Sequence, residues 1–135
     1  MTVAYEEIIY EVENGVATIT INRPDQLNAL TDLTQAEIRH ALEQSEINPD
    51  VVGTILTGAG RGFCSGVDMN ALGGMSEAGK RLDNNYEYLQ ADPGNPDSDP
   101  KSLSSPTYCL GLRKPLIAAI IGAAAGLGVS YATFC

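Results

Sequence analysis

Apolar and polar residues alternate near the start of the chain, and the pattern predicts a β-hairpin. Two β-rich runs cover residues 8–12 and 16–22, and they are separated by a segment that contains Asn14-Gly15. Asn-Gly between two such runs is the strongest short-range hairpin signal. In the second run every other residue from Ala17 onward is apolar, so one face of that strand should be buried. Pro24 should end the strand.

A helix and a second buried strand are predicted to follow the hairpin. Thr31 or Asp32 can cap a helix that runs to about Ser45, because apolar residues recur there at helical spacing. We expect His40, on this helix, to be partly solvated, and we assign it no function. Residues 51–57, VVGTILT, are typical of a strand buried on both faces. Strand, helix and strand in this order indicate a hairpin followed by a βαβ unit.

The rest of the chain gives weaker structural signals. We expect a helix over residues 76–90, and then a mobile surface loop over residues 91–106, where prolines and aspartates are frequent. A short helix over 108–112 and a strand over 116–121 should follow. After a turn of small residues, a last helix should begin near Gly126 and still be running at the final residue.

The composition excludes some classes of partner. Eight basic and 17 acidic residues give a formal charge of −9, which argues against binding to nucleic acid. The three cysteines have neither the even number of a secreted disulfide framework nor the spacing of metal ligands. We therefore expect a cytoplasmic protein with reduced thiols and no metal site.

The C-terminal stretch allows two interpretations. Residues 116–135 carry no charge and are long enough to cross a bilayer as a helix. Their hydrophobicity is weak and their middle is rich in glycine, which favours a buried strand that turns into a buried helix. We expect no membrane span, and a membrane anchor is the alternative.

Two glycine-rich segments and one polar turn are candidate functional sites. Residues 57–68, TGAGRGFCSGVD, follow a buried strand, so their backbone could approach a phosphate, although Phe63 stands where a dinucleotide site needs glycine. Residues 122–128, GAAAGLG, open a helix whose free N–H groups favour an anion. The alternatives are tight turns without a ligand for the first segment and close packing of a strand on a helix for the second. Close packing explains Ala123 to Ala125 well, but it explains less well why both turns should lie at the same end of adjacent strands. In the turn over residues 22–30, Arg23 could meet a phosphate or lie in water.

Taken together, the runs ITINRPDQLNAL, LTGAGRGFCSGVDM and KPLIAAIIGAAAGLGVSYATFC resemble the crotonase, or enoyl-CoA hydratase/isomerase, family in order and spacing. The resemblance covers nearly all of the chain outside the loop over residues 91–106. It implies an α/β fold of the ClpP/crotonase type, a spiral of ββα units. Residues 1–135 would form a partial domain, the N-terminal half, truncated before the C-terminal helices. The resemblance also implies that the full-length protein is a homotrimer or hexamer.

The resemblance implies an enzyme that binds acyl-CoA thioesters and stabilises their enolates, in fatty-acid or related acyl-CoA metabolism. It needs no separate cofactor, because coenzyme A is part of the substrate. In this family two backbone N–H groups form an oxyanion hole for the thioester carbonyl, and they match those of Val67 and Leu127. Several further residues match the segments that bind CoA: Gln26, Leu27, Asn28, Ala29, Leu30, Ser65, Gly66, Val67, Asp68, Met69 and Gly122.

The sequence departs from the family pattern at the acid–base position. Hydratases of this family use two glutamates to position and deprotonate water. Ser130 occupies the position of the first glutamate, and the second belongs to the C-terminal half of the family's domain. Asp68 is the nearest carboxylate in sequence, and we interpret it as a turn residue. The alternatives are therefore an isomerase or other single-carboxylate enzyme, or a non-catalytic CoA-binding protein.

Overall fold

The structure is a computed structural model, and it describes residues 3–78, 86–94 and 106–135. Strands and α-helices follow in the order β1 (Ile8–Glu13), β2 (Val16–Ile21), α1 (Asp32–Ile47), β3 (Gly53–Gly58), β4 (Gly62–Cys64), α2 (Met69–Ala78), β5 (Leu116–Ala118), β6 (Ala123–Ala124) and α3 (Leu127–Phe134). Short 3-10 helices cover Pro24–Gln26, Glu87–Leu89 and Thr107–Gly111.

The main sheet has the strand order β1-β2-β3-β5. The predicted hairpin is confirmed, because β1 and β2 are antiparallel and the turn between them has positive φ at both Asn14 and Gly15. The pairs β2–β3 and β3–β5 are parallel, which confirms the predicted βαβ organisation. Ala17, Ile19 and Ile21 are buried on one face of β2, as the alternation predicts.

Helix α1 begins at the predicted cap. The Thr31 hydroxyl accepts a hydrogen bond from the Thr34 N–H, and the Thr34 hydroxyl accepts one from the Thr31 N–H, so the first turn has a reciprocal capping arrangement. Glu37 lies in the buried face of this helix and accepts the N–H groups of Glu6 and Glu7 at 2.7 and 2.9 Å. Burial raises the pKa of the Glu37 carboxyl, although these N–H donors oppose the shift. The helix thereby fixes the segment that enters β1.

Two expectations about burial are wrong. His40 is only 7% exposed, because the N-terminal segment covers it and the Tyr5 hydroxyl lies 2.8 Å from its Nδ1. Strand β3 is not buried on both faces. Its buried residues alternate with partly buried ones, and Val52, just before it, is 70% exposed. Leu56 packs into the hydrophobic core on one face only.

The expected helix over residues 76–90 is misplaced. Helix α2 begins at Met69, seven residues earlier, and Glu87–Leu89 form a 3-10 turn, while residues 79–85 lie outside the described residues. Of the expected mobile loop, residues 95–105 also lie outside them. Gly94 is buried, and a Cβ there would lie 2.6 Å from the Gly111 carbonyl oxygen.

The predicted C-terminal strand and helix exist, but the strand is shorter than expected, and α3 begins at Leu127, one residue after its predicted start. Strand β5 ends at Ala118 rather than near residue 121, and the helix predicted over 108–112 is the 3-10 helix Thr107–Gly111. Residues 116–135 form β5, β6 and α3 in succession. In the ranges that the structure describes, no helix is long and apolar enough to cross a membrane.

A second sheet was not predicted at all. Strands β4 and β6 pair in parallel, with Gly62 opposite Ala123 and Cys64 opposite Ala124. The pairing joins the two glycine-rich segments of the sequence. It therefore positions the turns that follow β4 and β6, residues 65–68 and 125–128, beside each other.

Candidate functional site

The turn after β6 leaves a backbone N–H group free at the start of α3. Gly126 has φ 52° and ψ −125°, and the Gly128 N–H donates to the Ala125 carbonyl at 2.9 Å, which is the geometry of a type II′ turn. Leu127 is the first residue of α3, so its N–H has no acceptor within the helix. In the part of the chain that the structure describes, the Leu127 N–H donates to nothing.

The turn after β4 leaves a second N–H group free. Leu30 and Val67 form an isolated parallel bridge, in which the Leu30 N–H donates to Gly66 at 2.7 Å and the Asp68 N–H donates to Leu30 at 2.9 Å. Val67 lies between the two bonded residues, Gly66 and Asp68. In such a bridge it directs its own N–H away from the segment that contains Leu30. The Val67 N–H accordingly has no acceptor among the described residues.

The two free N–H groups belong to peptides that lie side by side. We use the term glycine seam for Gly66, Val67, Gly126 and Leu127. A Cβ on Gly126 would lie 3.6 Å from the Gly66 Cα, and the Ala125 N–H donates to the Cys64 carbonyl at 3.0 Å, so backbone lies directly against backbone. The free N–H groups of Val67 and Leu127 each follow one of the two contacting glycines. The β4–β6 sheet thus brings together Gly66 and Gly126, each of which directly precedes one of the two sequence-predicted donors.

Helix α3 also lies directly against strand β4. A Cβ on Gly128 would lie 2.5 Å from the Cys64 carbonyl oxygen and 2.9 Å from its sulfur. Cys64 is fully buried, and burial raises the pKa of its thiol. A neutral, enclosed thiol is a packing element rather than a nucleophile. Gly122 is also in close contact, because a Cβ there would lie 2.1 Å from the Arg61 carbonyl oxygen.

The segment before α1 is held against the first glycine turn by Asn28. The Asn28 side chain is fully buried, and its amide donates to the carbonyls of Ala59 and Gly62 at 2.9 and 2.8 Å. Its oxygen accepts the Arg23 N–H at 2.9 Å. Leu27 and Asn28 both have positive φ, an uncommon conformation for residues other than glycine. These contacts set the path that brings Leu30 to Val67.

Arg23 does not lie in water, which was one of the two alternatives from the sequence, and its guanidinium already has protein partners. Its side chain is 16% exposed and forms ion pairs with Glu7 and Asp68 at 3.2 and 3.1 Å. Burial acts to raise the pKa of the Asp68 carboxyl, but hydrogen bonds from Arg23 and from the Asn70 N–H outweigh it and hold that pKa below its ordinary value. Asp68 is therefore an ionised turn residue with its own partners.

The other residues that match the CoA-binding segments differ in exposure. Gln26, Leu27, Ser65 and Met69 are exposed, Ala29 is partly buried, and Asn28, Leu30 and Asp68 are buried. The Ser65 N–H donates to the Leu27 carbonyl at 3.1 Å, so the two predicted segments are neighbours. Their contact with CoA stays a prediction. Ser130 is partly buried on the first turn of α3, where its N–H lies 3.4 Å from the Gly126 carbonyl.

A comparison with known families decides the affiliation of the chain. Residues 11–135 match the family described as Enoyl-CoA hydratase/isomerase. The chain belongs to the enoyl-CoA hydratase/isomerase family. It is 38% identical over 130 residues to the probable enoyl-CoA hydratase EchA14 of Mycobacterium tuberculosis, and this match covers 95% of the chain and 44% of the relative. It is 36% identical over 132 residues to 1,2-epoxyphenylacetyl-CoA isomerase of Escherichia coli, with 94% and 44% covered.

Solved structures support the same affiliation. An enoyl-CoA hydratase from Mycobacterium avium subsp. paratuberculosis superimposes with a TM-score of 0.68 at 30% identity, covering 98% of this chain and 43% of that one. The predicted crotonase fold is thereby confirmed. The chain spans less than half the length of the curated relatives that it matches.

Proposed function

We propose that the protein containing this chain binds an acyl-CoA thioester and stabilises the enolate of that thioester with the backbone N–H groups of Val67 and Leu127. The observation that carries the proposal is the glycine seam, where two peptides with unbonded N–H groups lie side by side. Family membership supports the thioester as the substrate class. The implied trimeric or hexameric assembly and the cytoplasmic location stay predictions.

The chemistry follows from the charge that the reaction creates. When a proton leaves the carbon next to the thioester carbonyl, negative charge moves onto the carbonyl oxygen. A fixed donor aimed at that oxygen is worth about 3–4 kcal/mol in the transition state. Because Val67 and Leu127 would act through the main chain, their apolar side chains are compatible with this role. The β4–β6 sheet and the Leu30–Val67 bridge support the proposal, because they would hold both donors in place before substrate arrives.

A matched pair of variants tests the donor role of Leu127. Proline is tolerated at the first position of a helix and has no N–H, so Leu127→Pro should remove the donor with little effect on α3. Leu127→Ala removes the side chain and keeps the N–H. In the full-length protein we expect turnover of enoyl-CoA thioesters to fall about 10²–10³-fold in Leu127→Pro. The alanine variant should stay close to the unsubstituted protein.

The infrared spectrum of the bound substrate gives an independent measurement. The stretching frequency of a ¹³C-labelled thioester carbonyl decreases when the oxygen accepts hydrogen bonds. We expect the decrease to be smaller in Leu127→Pro than in Leu127→Ala. Equal frequencies and equal turnover in the two variants would contradict the proposed role of this N–H.

A non-catalytic acyl-CoA-binding protein is the second candidate. It is favoured by Ser130, which occupies the position of a family glutamate, and by Asp68, whose carboxylate is already bonded to Arg23 and Asn70. Neither residue offers a free carboxylate for proton transfer. Exchange of the α-hydrogen of a saturated acyl-CoA with D₂O separates the candidates. Exchange catalysed by the full-length protein would support the enzyme, and tight binding without exchange would support the binding protein.

A further inference from the structure

We infer that Arg23 is a positioning residue for the Val67 N–H, acting through Asp68 and the Leu30–Val67 bridge. The inference rests on the proposed function, because it assigns Arg23 to the precision of the oxyanion donor. It gives a role in the site to a side chain that touches neither the glycine seam nor the proposed thioester.

The contacts of one guanidinium nitrogen carry the argument. Nη1 of Arg23 donates to the Ala29 carbonyl and, at 3.1 Å, to Oδ2 of Asp68. Ala29 directly precedes Leu30, and Asp68 directly follows Val67. The same nitrogen therefore binds both chain segments of the bridge from which the Val67 N–H projects. Displacement of either segment would change the direction of that N–H.

Further hydrogen bonds hold Arg23 itself in place. Its Nε lies 3.2 Å from Oε1 of Glu7, and the other oxygen of Glu7 accepts the hydroxyls of Thr31 and Thr34 at the start of α1. The Arg23 N–H donates to the fully buried Asn28. Arg23 is thus fixed to the hairpin entry, to the cap of α1 and to the turn before β4.

The charges disfavour a direct role of Arg23 in binding the phosphates of CoA. One guanidinium faces two carboxylates, Glu7 and Asp68, so the cluster has a net negative charge when both are ionised. The Arg23 side chain is 16% exposed and the Asp68 side chain 9%. An incoming phosphate would have to displace a carboxylate from a well-formed pair. A lysine could not replace Arg23, because a single ammonium lacks the planar set of donors that reaches three acceptors.

A test without ligand examines the bridge directly. Amide hydrogen exchange of Leu30 and Asp68 is measured in the full-length protein and in Arg23→Gln. We expect exchange at both amides to accelerate by about tenfold or more in the variant, because the bridge opens more often. The control is Arg113→Gln, which removes an arginine that is 60% exposed and paired with Glu46 at 3.4 Å. Unchanged exchange in Arg23→Gln would overturn the inference.

A test with ligand separates positioning from binding. The probes are free CoA and a panel of enoyl-CoA thioesters labelled with ¹³C at the carbonyl. In Arg23→Gln we expect the Kd of free CoA to stay within about twofold, and kcat to fall about tenfold to a hundredfold as the donor loses its alignment. The decrease in carbonyl frequency should shrink in parallel. In Arg23→Lys the decrease in carbonyl frequency should be intermediate between that of Arg23→Gln and that of the unsubstituted protein. In Arg113→Gln the Kd, kcat and carbonyl frequency should match those of the unsubstituted protein.

The outcomes distinguish this inference from the proposed function. If the carbonyl frequency does not decrease even in the unsubstituted protein, the proposed function is wrong and the inference falls with it. If the frequency decreases there and decreases equally in Arg23→Gln, the inference alone is wrong. Loss of free-CoA binding with an unchanged frequency would show that Arg23 binds CoA directly, which also overturns it. Asp68→Asn combined with Arg23→Gln should have the effect of one substitution, because the two residues act as one unit.

Discussion

The main sheet and the glycine seam are held together by different forces. In the main sheet and α1, buried side chains such as Ile19, Ile38 and Leu56 fill a shared core. In the seam, main-chain atoms approach one another directly, and beside it side chains larger than hydrogen are excluded at Gly122 and Gly128. The first region tolerates exchange of one apolar side chain for another of similar volume. The second depends on the absence of side chains, and the candidate site lies there.

Removal of a core side chain should give the largest effect on stability. Ile19→Ala leaves a cavity beneath the sheet, because this side chain is fully buried. We expect a loss of about 2–5 kcal/mol in the free energy of unfolding, measured with urea. Val52→Ala, at a position that is 70% exposed, is the control and should change it by less than about 0.5 kcal/mol. Equal losses would mean that the core is not where the structure has it.

Addition of a methyl group at Gly128, next to the seam, should have the next largest effect. Gly128→Ala brings a Cβ to 2.5 Å from the Cys64 carbonyl, so α3 or β4 must shift, at a cost of about 1–3 kcal/mol. Gly73→Ala in α2 meets no atom within 4 Å and should instead stabilise by about 0.5–1 kcal/mol. Turnover should fall much further in Gly128→Ala than in Ile19→Ala at a temperature where both are folded. A larger loss of turnover in Ile19→Ala than in Gly128→Ala would contradict the placement of the active site at the seam.

The strands that position the seam could not be predicted from the sequence, whereas the elements of the main sheet could. The hairpin, the Thr31 cap and β3 were predictable because each has a local pattern several residues long. Strands β4 and β6 have three and two residues, too few to show any periodicity. The start of α2 at Met69 was not predicted, because Asp68 was interpreted only as a turn residue. In the structure its carboxylate accepts the Asn70 N–H in the first turn of this helix.

Long-range partners were equally hidden. Arg23 pairs with Glu7 and with Asp68, 45 residues away, and no local signal connects them. His40 shows the same limit, because Tyr5 covers it from outside its helix. By contrast, Val67 and Leu127 are candidate donors because the three sequence runs resemble those of the enoyl-CoA hydratase/isomerase family. The close approach of Gly66 and Gly126, which precede them, became visible only with the β4–β6 pairing.

The smallest predicted effect concerns pH. Asp68 has a pKa below the ordinary 3.8 in the folded state, so its ionised form stabilises the fold above pH 3.8, and this stabilisation is lost as the pH falls through the folded-state pKa. At neutral pH, Asp68→Asn should cost about 1–2 kcal/mol in unfolding free energy. The difference from the unsubstituted protein should shrink below pH 3.8. Glu37 also titrates with a shifted pKa, but it is present in both proteins and cancels.

A difference that stays constant with pH would contradict the ionised pairing of Asp68 with Arg23. Arg113→Gln serves as the control, because its arginine is 60% exposed and an exposed pair contributes little. The unfolding free energy of this variant should follow that of the unsubstituted protein across the whole pH range. The comparison therefore separates the ion pair beside the seam from one at the surface.

The central claim is that the N–H groups of Val67 and Leu127 share one acceptor. The most direct measurement is a crystal structure of the full-length protein with an acyl-CoA bound. If both N–H groups bind the substrate, the thioester oxygen should lie about 2.7–3.2 Å from both nitrogens. A thioester oxygen bound to only one of them, or located away from the glycine seam, would contradict the account.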